Sequence, residues 1–90
     1  MRTPIFTNKF KRELKKCKSR GLDTDDIAKI MEKLIKNEPL EPRNKNHPLN
    51  GEFIGCFDCH IYPDWLLIYM LDDKENTVTF LRTGTHTDLF

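Results

Sequence analysis

Hydrophobic residues recur at helical spacing through the first third of this 90-residue chain. One stripe consists of Phe10, Leu14 and Cys17. A longer stripe consists of Ile27, Ile30, Met31, Leu34 and Ile35. Because residues three and four apart lie on one face of a helix, the stripes predict a helix over residues 8–20 and a second that begins at Asp23 or Thr24. Gly21 separates the two helices and Asn37–Pro39 ends the second, so the pair is predicted to form a helical hairpin.

The second half of the chain shows the patterns of β-strands. Residues 53–62 alternate, residues 65–71 form a continuous apolar run typical of a central strand, and residues 77–82 form a last strand. The Pro- and Asn-rich segment 38–51 is predicted to be a loop, and 4–6 a short first strand. This order predicts an α+β fold, with two N-terminal helices packed on one face of a small, mainly antiparallel sheet.

Composition and charge limit the class of protein. A chain of 90 residues with 38% hydrophobic and 32% charged residues fits a single domain over 1–90. The net charge is only +1, yet residues 1–20 contain eight Lys or Arg and a single acid, Glu13. This concentration of cations predicts contact with phosphates or with an acidic protein. With no run long enough to span a bilayer and no apolar leader, we expect a cytoplasmic protein without a membrane partner.

Side chains that can carry acid–base chemistry lie around the predicted strands. They are His47, His60, Asp64, Arg82 and His86. Imidazoles, a carboxylate and a guanidinium are the groups needed to cleave a phosphodiester by general acid–base catalysis. Strict alternation places Arg82 on the face of Val78 and Phe80, and it can point to the same side of the sheet as His60, although the pattern does not determine the register. His86 is expected on a flexible C-terminal tail that folds back over this region.

Each of these residues, taken alone, also fits an ordinary structural role. A single histidine is commonly a hydrogen-bonded surface group. Asp64 after Pro63 fits a turn, Arg82 fits a charge at a strand end, and Trp65 fits the core. Composition does not decide between these roles and catalysis.

The segment Cys56–His60 matches the C-x-x-C-H spacing of covalent haem attachment. We reject haem attachment because no export signal precedes the segment and it is predicted to be a strand. A zinc site shared with His47 is disfavoured because residues three apart on a strand point to opposite faces. The remaining Cys17 fits a buried position on the first helix, and an odd count of three cysteines does not suggest a disulfide framework. We therefore expect no metal and no cofactor.

Three segments together resemble the YafQ-type toxins of the RelE/ParE superfamily. They are His47–Gly51 (H-P-L-N-G), Cys59–Tyr69 (C-H-I-Y-P-D-W-L-L-I-Y) and Leu81–Phe90 (L-R-T-G-T-H-T-D-L-F). The resemblance implies a RelE-like fold and a bacterial type II toxin that cleaves mRNA on the ribosome and is blocked by a cognate antitoxin. By matching positions, it implies His47, His60, Asp64, Arg82 and His86 as catalytic residues and Trp65 and Phe90 as substrate-binding residues.

The chemistry of RNA is consistent with that implication. RNA carries its own nucleophile, the 2′-hydroxyl, so a base, an acid and a cation suffice and a metal is not required. Either His60 or Asp64 is expected to be the base, and His86 the acid. Arg82 is expected to contact the phosphate, and His47 to orient the RNA backbone or share the role of base.

Two other classes of function stay open. A gyrase-directed toxin of the ParE branch would share the fold without cleaving RNA, although that branch lacks this set of histidines. A non-catalytic RNA- or protein-binding module would depend on the basic first helix. Its residues Lys11, Lys15 and Lys18 are expected to bind ribosomal RNA, and the alternative is that they form only a solvated face.

Overall fold

The two apolar stripes form the two predicted helices. In the computed structural model, which describes residues 1–90, α1 spans Asn8–Ser19 and α2 spans Thr24–Ile35. Helix α1 begins where the Thr7 hydroxyl accepts the Phe10 amide at 2.9 Å, and α2 begins where Asp23 accepts the Asp25 amide at 2.9 Å. The two helices and the turn between them are therefore confirmed.

Five strands form one sheet. They are β1 (Thr3–Phe6), β2 (His47–Pro48), β3 (Phe57–Tyr62), β4 (Trp65–Asp72) and β5 (Thr77–Gly84), in the spatial order β1-β5-β4-β3-β2. Only the β1–β5 pair is parallel. The predicted α+β fold with a mainly antiparallel sheet is thus confirmed. The longest helices, α1 and α2, have 12 residues each, and none of the helices has the length and apolar character of a membrane span.

Two local predictions about the strands were wrong. Strand β2 lies inside the segment predicted to be a loop, because two residues gain sheet hydrogen bonds only when β3 is beside them. Strand β3 begins at Phe57 and not at 53, because Gly51–Phe53 form a 3₁₀ turn and Gly55 has a positive φ of 90° that interrupts extended backbone. The chain after β5 also forms a further helical turn, α3 (His86–Leu89).

The helices cover one face of the sheet, as predicted. The core on this inner face consists of Phe10, Cys17, Ile27, Ile30, Leu34, Cys59, Trp65, Leu67, Tyr69, Val78 and Phe80. A smaller cluster on the opposite, outer face consists of Cys56, Leu66, Ile68 and Leu89. The outer face is covered in part by α3 and the turn before β3, and no long helix packs there. Polar side chains of the strands can therefore reach solvent on the outer face.

A β-bulge at Leu81 decides where Arg82 points. Tyr69 of β4 pairs with Phe80, but the preceding residue Ile68 pairs with Arg82, so Leu81 is an extra residue in β5. The expectation that Arg82 shares a face with Val78 and Phe80 is therefore wrong. The bulge moves Arg82 to the outer face, and His60, which pairs with Leu66, faces the same side. The expectation that His60 and Arg82 face the same side of the sheet holds, but the bulge and not strict alternation produces it.

Candidate active site

The candidate residues occupy two neighbouring rows on the outer face. Sheet register aligns one row as His47, Asp58, Ile68 and Arg82, across β2, β3, β4 and β5. The next row aligns His60, Leu66 and Gly84. Neighbouring strands lie about 4.8 Å apart, so His47 and Arg82 are at opposite ends of their row. Gly84 has no side chain, and α3 folds over this gap to bring His86 beside His60.

His60, Asp64 and His86 meet at the edge of these rows. His86 Nδ1 lies 2.7 Å from Asp64 Oδ1, and the same oxygen accepts the His86 backbone N–H at 3.1 Å. These two hydrogen bonds hold the pKa of Asp64 below its usual value, and the bond from the His86 side chain has the larger effect. The His60 ring centroid is 5.6 Å from that of His86, in an edge-on arrangement. Three different elements, β3, the β3–β4 turn and α3, therefore converge on one imidazole–carboxylate cluster.

The hydrogen bonds of the histidines indicate which ring nitrogens are free. His60 Nδ1 lies 3.2 Å from the Pro63 carbonyl, and His47 Nδ1 lies 2.7 Å from the Lys45 carbonyl. A carbonyl only accepts, so Nδ1 donates in both rings and Nε2 of a neutral ring is left with its lone pair. His86 in turn donates from Nδ1 to Asp64. Each ring thus presents Nε2 for proton transfer.

The segment that carries His86 is not a flexible tail. The Thr85 hydroxyl accepts the Asp88 amide at 3.2 Å, and Asp88 Oδ2 accepts the Thr85 amide at 2.9 Å. This reciprocal capping box begins α3 directly at His86. The expectation of a flexible tail is therefore wrong, and the T-x-x-D spacing at 85–88 is the sequence signal that could have predicted the turn.

Asp58 belongs to the site and was missed in the sequence. It is 5% exposed, and its Oδ1 lies 3.0 Å from His47 Nδ1. His47 Nδ1 donates its hydrogen bond to the Lys45 carbonyl. Asp58 Oδ1 is therefore close to the imidazole but receives no hydrogen bond. Burial raises the pKa of Asp58, and the nearby imidazoles of the site partly oppose the shift. The available signal was an acid two residues before His60, on the same face of a largely apolar strand.

Arg82 is held by an acid from α1. Its Nη2 donates to Glu13 Oε2 at 2.6 Å, and its Nε lies 3.2 Å from both carboxylate oxygens. Glu13 also accepts the Thr83 amide at 3.4 Å. The hydrogen bonds that Arg82 donates to Glu13 raise the pKa of Arg82, which is permanently charged in any case. Glu13 is the only acid of the basic segment, and its partner lies 69 residues away in sequence, so this pair was also missed.

The predicted substrate-binding residues differ in exposure. Trp65 is only 1% exposed, and its indole N–H donates to the Thr83 hydroxyl at 2.9 Å. Its burial contradicts direct contact with substrate and indicates that it supports the site from the core. Phe90 is 63% exposed and lies edge-on to Phe53, with ring centroids 5.7 Å apart.

The lysines of α1 are free to contact a partner. Lys11, Lys15 and Lys18 are exposed, and none of them forms a salt bridge. Their spacing of four and three residues places them on one side of the helix. They form a cationic strip that is separate from the imidazole–carboxylate cluster.

The cysteines lie on opposite faces of the sheet. Cys59 belongs to the inner core, where burial raises its pKa to about 12, whereas Cys56 belongs to the outer cluster. This geometry opposes a shared zinc site. No group of three or more His, Cys, Asp or Glu side chains is arranged to hold a metal ion.

The structure defines a small α+β protein with an imidazole–carboxylate cluster on the outer face of its sheet. The family model for YafQ, a bacterial toxin of type II toxin–antitoxin systems, matches residues 2–90. The chain belongs to this family.

Individual relatives agree over nearly the whole chain. The mRNA interferase toxin YafQ of Escherichia coli K12 is 40% identical over 86 residues, which cover 94% of this chain and 91% of the relative. The crystal structure of YafQ from E. coli BL21(DE3) superimposes with a TM-score of 0.93 at 36% identity, covering 100% of this chain and 99% of that one. The toxin in the E. coli DinJ–YafQ complex superimposes with a TM-score of 0.92 at 37% identity, with the same coverage.

Proposed function

We propose that this chain is an mRNA interferase, an endoribonuclease that cleaves mRNA on the ribosome and is blocked by a cognate antitoxin. The observation that carries this proposal is the convergence of His60, Asp64 and His86 from three separate elements. The 40% identity to an mRNA interferase toxin over most of the chain supports it. The reaction is transfer of the phosphate from the 5′-oxygen to the 2′-oxygen, which leaves a 2′,3′-cyclic phosphate and a 5′-hydroxyl.

His60 is the base in this mechanism and His86 is the acid. Nδ1 of His60 is engaged by the Pro63 carbonyl, so Nε2 is available to take the proton of the 2′-hydroxyl. Asp64 is engaged twice by His86, which makes Asp64 a poor base and a good partner for an imidazolium. His86 Nε2 then gives its proton to the leaving 5′-oxygen, as in general acid catalysis. Asp64 thus orients the acid and stabilises its charged form.

Arg82 stabilises the phosphate while Glu13 holds it in place. The guanidinium has five N–H donors, and Glu13 engages those on Nε and Nη2, so other donors stay available for a phosphate oxygen. A half-buried pair of this kind fixes the orientation of the guanidinium before substrate arrives. His47 and the buried Asp58 lie at the far end of the same row, where His47 contacts the RNA backbone.

Substrate contacts outside the cluster come from α1 and the C-terminus. The strip of Lys11, Lys15 and Lys18 binds ribosomal RNA, since exposed cations without acidic partners release counterions from phosphates. Phe90 is exposed and offers its ring for stacking on a base. Trp65 acts only indirectly, by holding Thr83 and the end of β5.

The antitoxin is a small protein with an acidic segment that orders on binding. The E. coli relative has been crystallised in complex with DinJ, which supports a protein partner of this class. An acidic segment complements the cations of α1 and can displace α3 together with Phe90. The proposed location is the cytoplasm, where mRNA and ribosomes are found.

The deciding experiment maps mRNA ends after the purified protein is added to translating ribosomes. Expression of the chain alone should arrest growth, and co-expression of the antitoxin encoded beside it should restore growth. New mRNA ends that appear with wild type and not with a folded His86→Ala variant would support the proposal. Growth arrest without mRNA cleavage would instead support a ParE-like action or a non-catalytic RNA-binding module.

A further inference from the structure

An exposed ion pair joins the end of α1 to the turn that carries His86. Arg20 is the residue that follows α1, and its Nη1 and Nη2 donate to the two oxygens of Asp88 at 2.9 and 3.0 Å. The two residues are 68 apart in sequence. Paired, parallel hydrogen bonds between a guanidinium and a carboxylate define an orientation as well as a distance. This pair is therefore able to fix α3 relative to α1.

Asp88 is tied to His86 through the backbone of the same turn. While it binds Arg20, its Oδ2 also accepts the Thr85 amide that begins α3. A Cβ added to Gly84 would lie 2.9 Å from the Asp88 side chain, so the turn packs directly against the end of β5. Any movement of Asp88 is thus transmitted to its neighbours in the turn.

Helix α3 cannot hold its own conformation. It has only 4 residues, and an isolated helix of one turn is unstable in water because nucleation is costly. Its apolar contacts come from Leu89, which is 5% exposed, and from Phe90 against Phe53. Asp88, Leu89 and Phe90 all lie C-terminal to His86, and of these three Asp88 is the residue held by the end of α1, through Arg20.

We propose that Arg20 and Asp88 are positioning residues that hold His86 against Asp64 in the orientation needed for proton transfer. The catalytic part of this inference rests on the proposed function; the structural part does not. Arg20 was counted with the cations of the basic segment, but its task is to hold the acid of the reaction in place. Through this ion pair, the helix that carries the cationic strip also holds the turn that carries His86.

The test uses variants that separate three effects: the paired hydrogen bonds between Arg20 and Asp88, the Asp88 cap on the Thr85 amide, and the positive charge of Arg20. Asp88→Asn keeps an oxygen for the Thr85 amide, so the cap survives while the paired contact with Arg20 is lost. Arg20→Ala removes the contact from the other side, and Arg20→Lys restores the positive charge without the paired geometry. Lys36→Ala is the matched control. It breaks an exposed ion pair at the end of α2, away from the site, in which Lys36 Nζ lies 2.7 Å from Glu32 Oε1.

Two measurements report on the position of His86. One is kcat and KM for cleavage, and the other is the pKa of Asp64 by carboxyl NMR, since the hydrogen bonds from His86 lower that pKa. We expect Arg20→Ala and Asp88→Asn each to lower kcat by about three- to tenfold with little change in KM. The double variant should be no worse than either single variant. The pKa of Asp64 should rise towards its ordinary value in all three, and Arg20→Lys should recover only part of kcat.

The alternatives give different results. If Arg20 only attracts RNA, its removal raises KM, Arg20→Lys restores it, and the pKa of Asp64 stays low, which overturns the proposal. Unchanged kcat and unchanged pKa of Asp64 in both single variants also overturn it. If the wild type does not cleave RNA, the proposed function fails, while the pKa of Asp64 still decides whether the pair positions His86.

Discussion

Replacing the buried carboxylate of Asp58 with an amide should make the protein more stable and less active. The side chain is 6% exposed, and one of its oxygens has no hydrogen-bond donor. A buried polar group without a partner costs about 1–3 kcal/mol, and an amide of the same shape carries no charge to desolvate. For Asp58→Asn we therefore expect about 1 kcal/mol of added stability near pH 8. In a domain of this size that corresponds to a Tm increase of about 4–8 °C.

The gain in stability should depend on pH. Burial raises the pKa of Asp58 above its value in the unfolded chain, so the folded protein binds this proton more tightly. The wild type accordingly loses stability as pH rises from the unfolded pKa through the raised pKa, whereas the Asn variant does not titrate here. The two proteins should converge in stability at low pH, where the Asp58 carboxyl of the wild type is neutral in both its folded and its unfolded state. The difference should be largest near pH 8, where the Asp58 carboxyl of the wild type is charged in both states.

Activity should change in the opposite direction. The charge attraction between His47 and Asp58 is worth no more than about 1 kcal/mol, because the His47 side chain is 52% exposed and the contact is not a hydrogen bond. Its loss in the transition state predicts a fall in kcat of up to about fivefold. Urea unfolding from about pH 3 to 8 and cleavage kinetics measure the two effects, with the exposed turn variant Asp73→Asn as control. A variant that is less stable at pH 8, or whose stability difference does not vary with pH, would refute the reasoning.

Three further outcomes are expected. His86→Ala should lower the cleavage rate by roughly 10²–10⁴-fold with an unchanged circular dichroism spectrum. Cleavage at the wild-type rate by this variant would show that His86 is not the acid. Alanine at Lys11, Lys15 and Lys18 together should weaken ribosome binding and make its dependence on salt shallower, whereas an unchanged slope would mark a merely solvated face. Trp65→Phe should lower the free energy of unfolding by about 1 kcal/mol in urea titrations, since the indole N–H to Thr83 is lost; unchanged stability would show that this bond contributes nothing.

Most of the secondary structure could be predicted from the sequence because it follows from local periodicity. Apolar spacing identified both helices, and Thr7 and Asp23 show that capping is a short-range property. The continuous run at 65–71 was correctly identified as a central strand, since a strand buried on both faces needs apolar residues at every position. The site residues were nominated by their chemistry and by the three resembling segments.

The features that only the tertiary structure decided are contacts between residues far apart in the chain. The bulge at Leu81 exists only in the pairing of β4 with β5, and it reverses the face of Arg82. The burial of Asp58 and Trp65 depends on which elements cover each face of the sheet. The ion pairs of Glu13 with Arg82 and of Arg20 with Asp88 join residues 69 and 68 positions apart. Local pattern determines which conformation a segment prefers, but register and long-range packing determine which side chains meet, and here those two decide the geometry of the site.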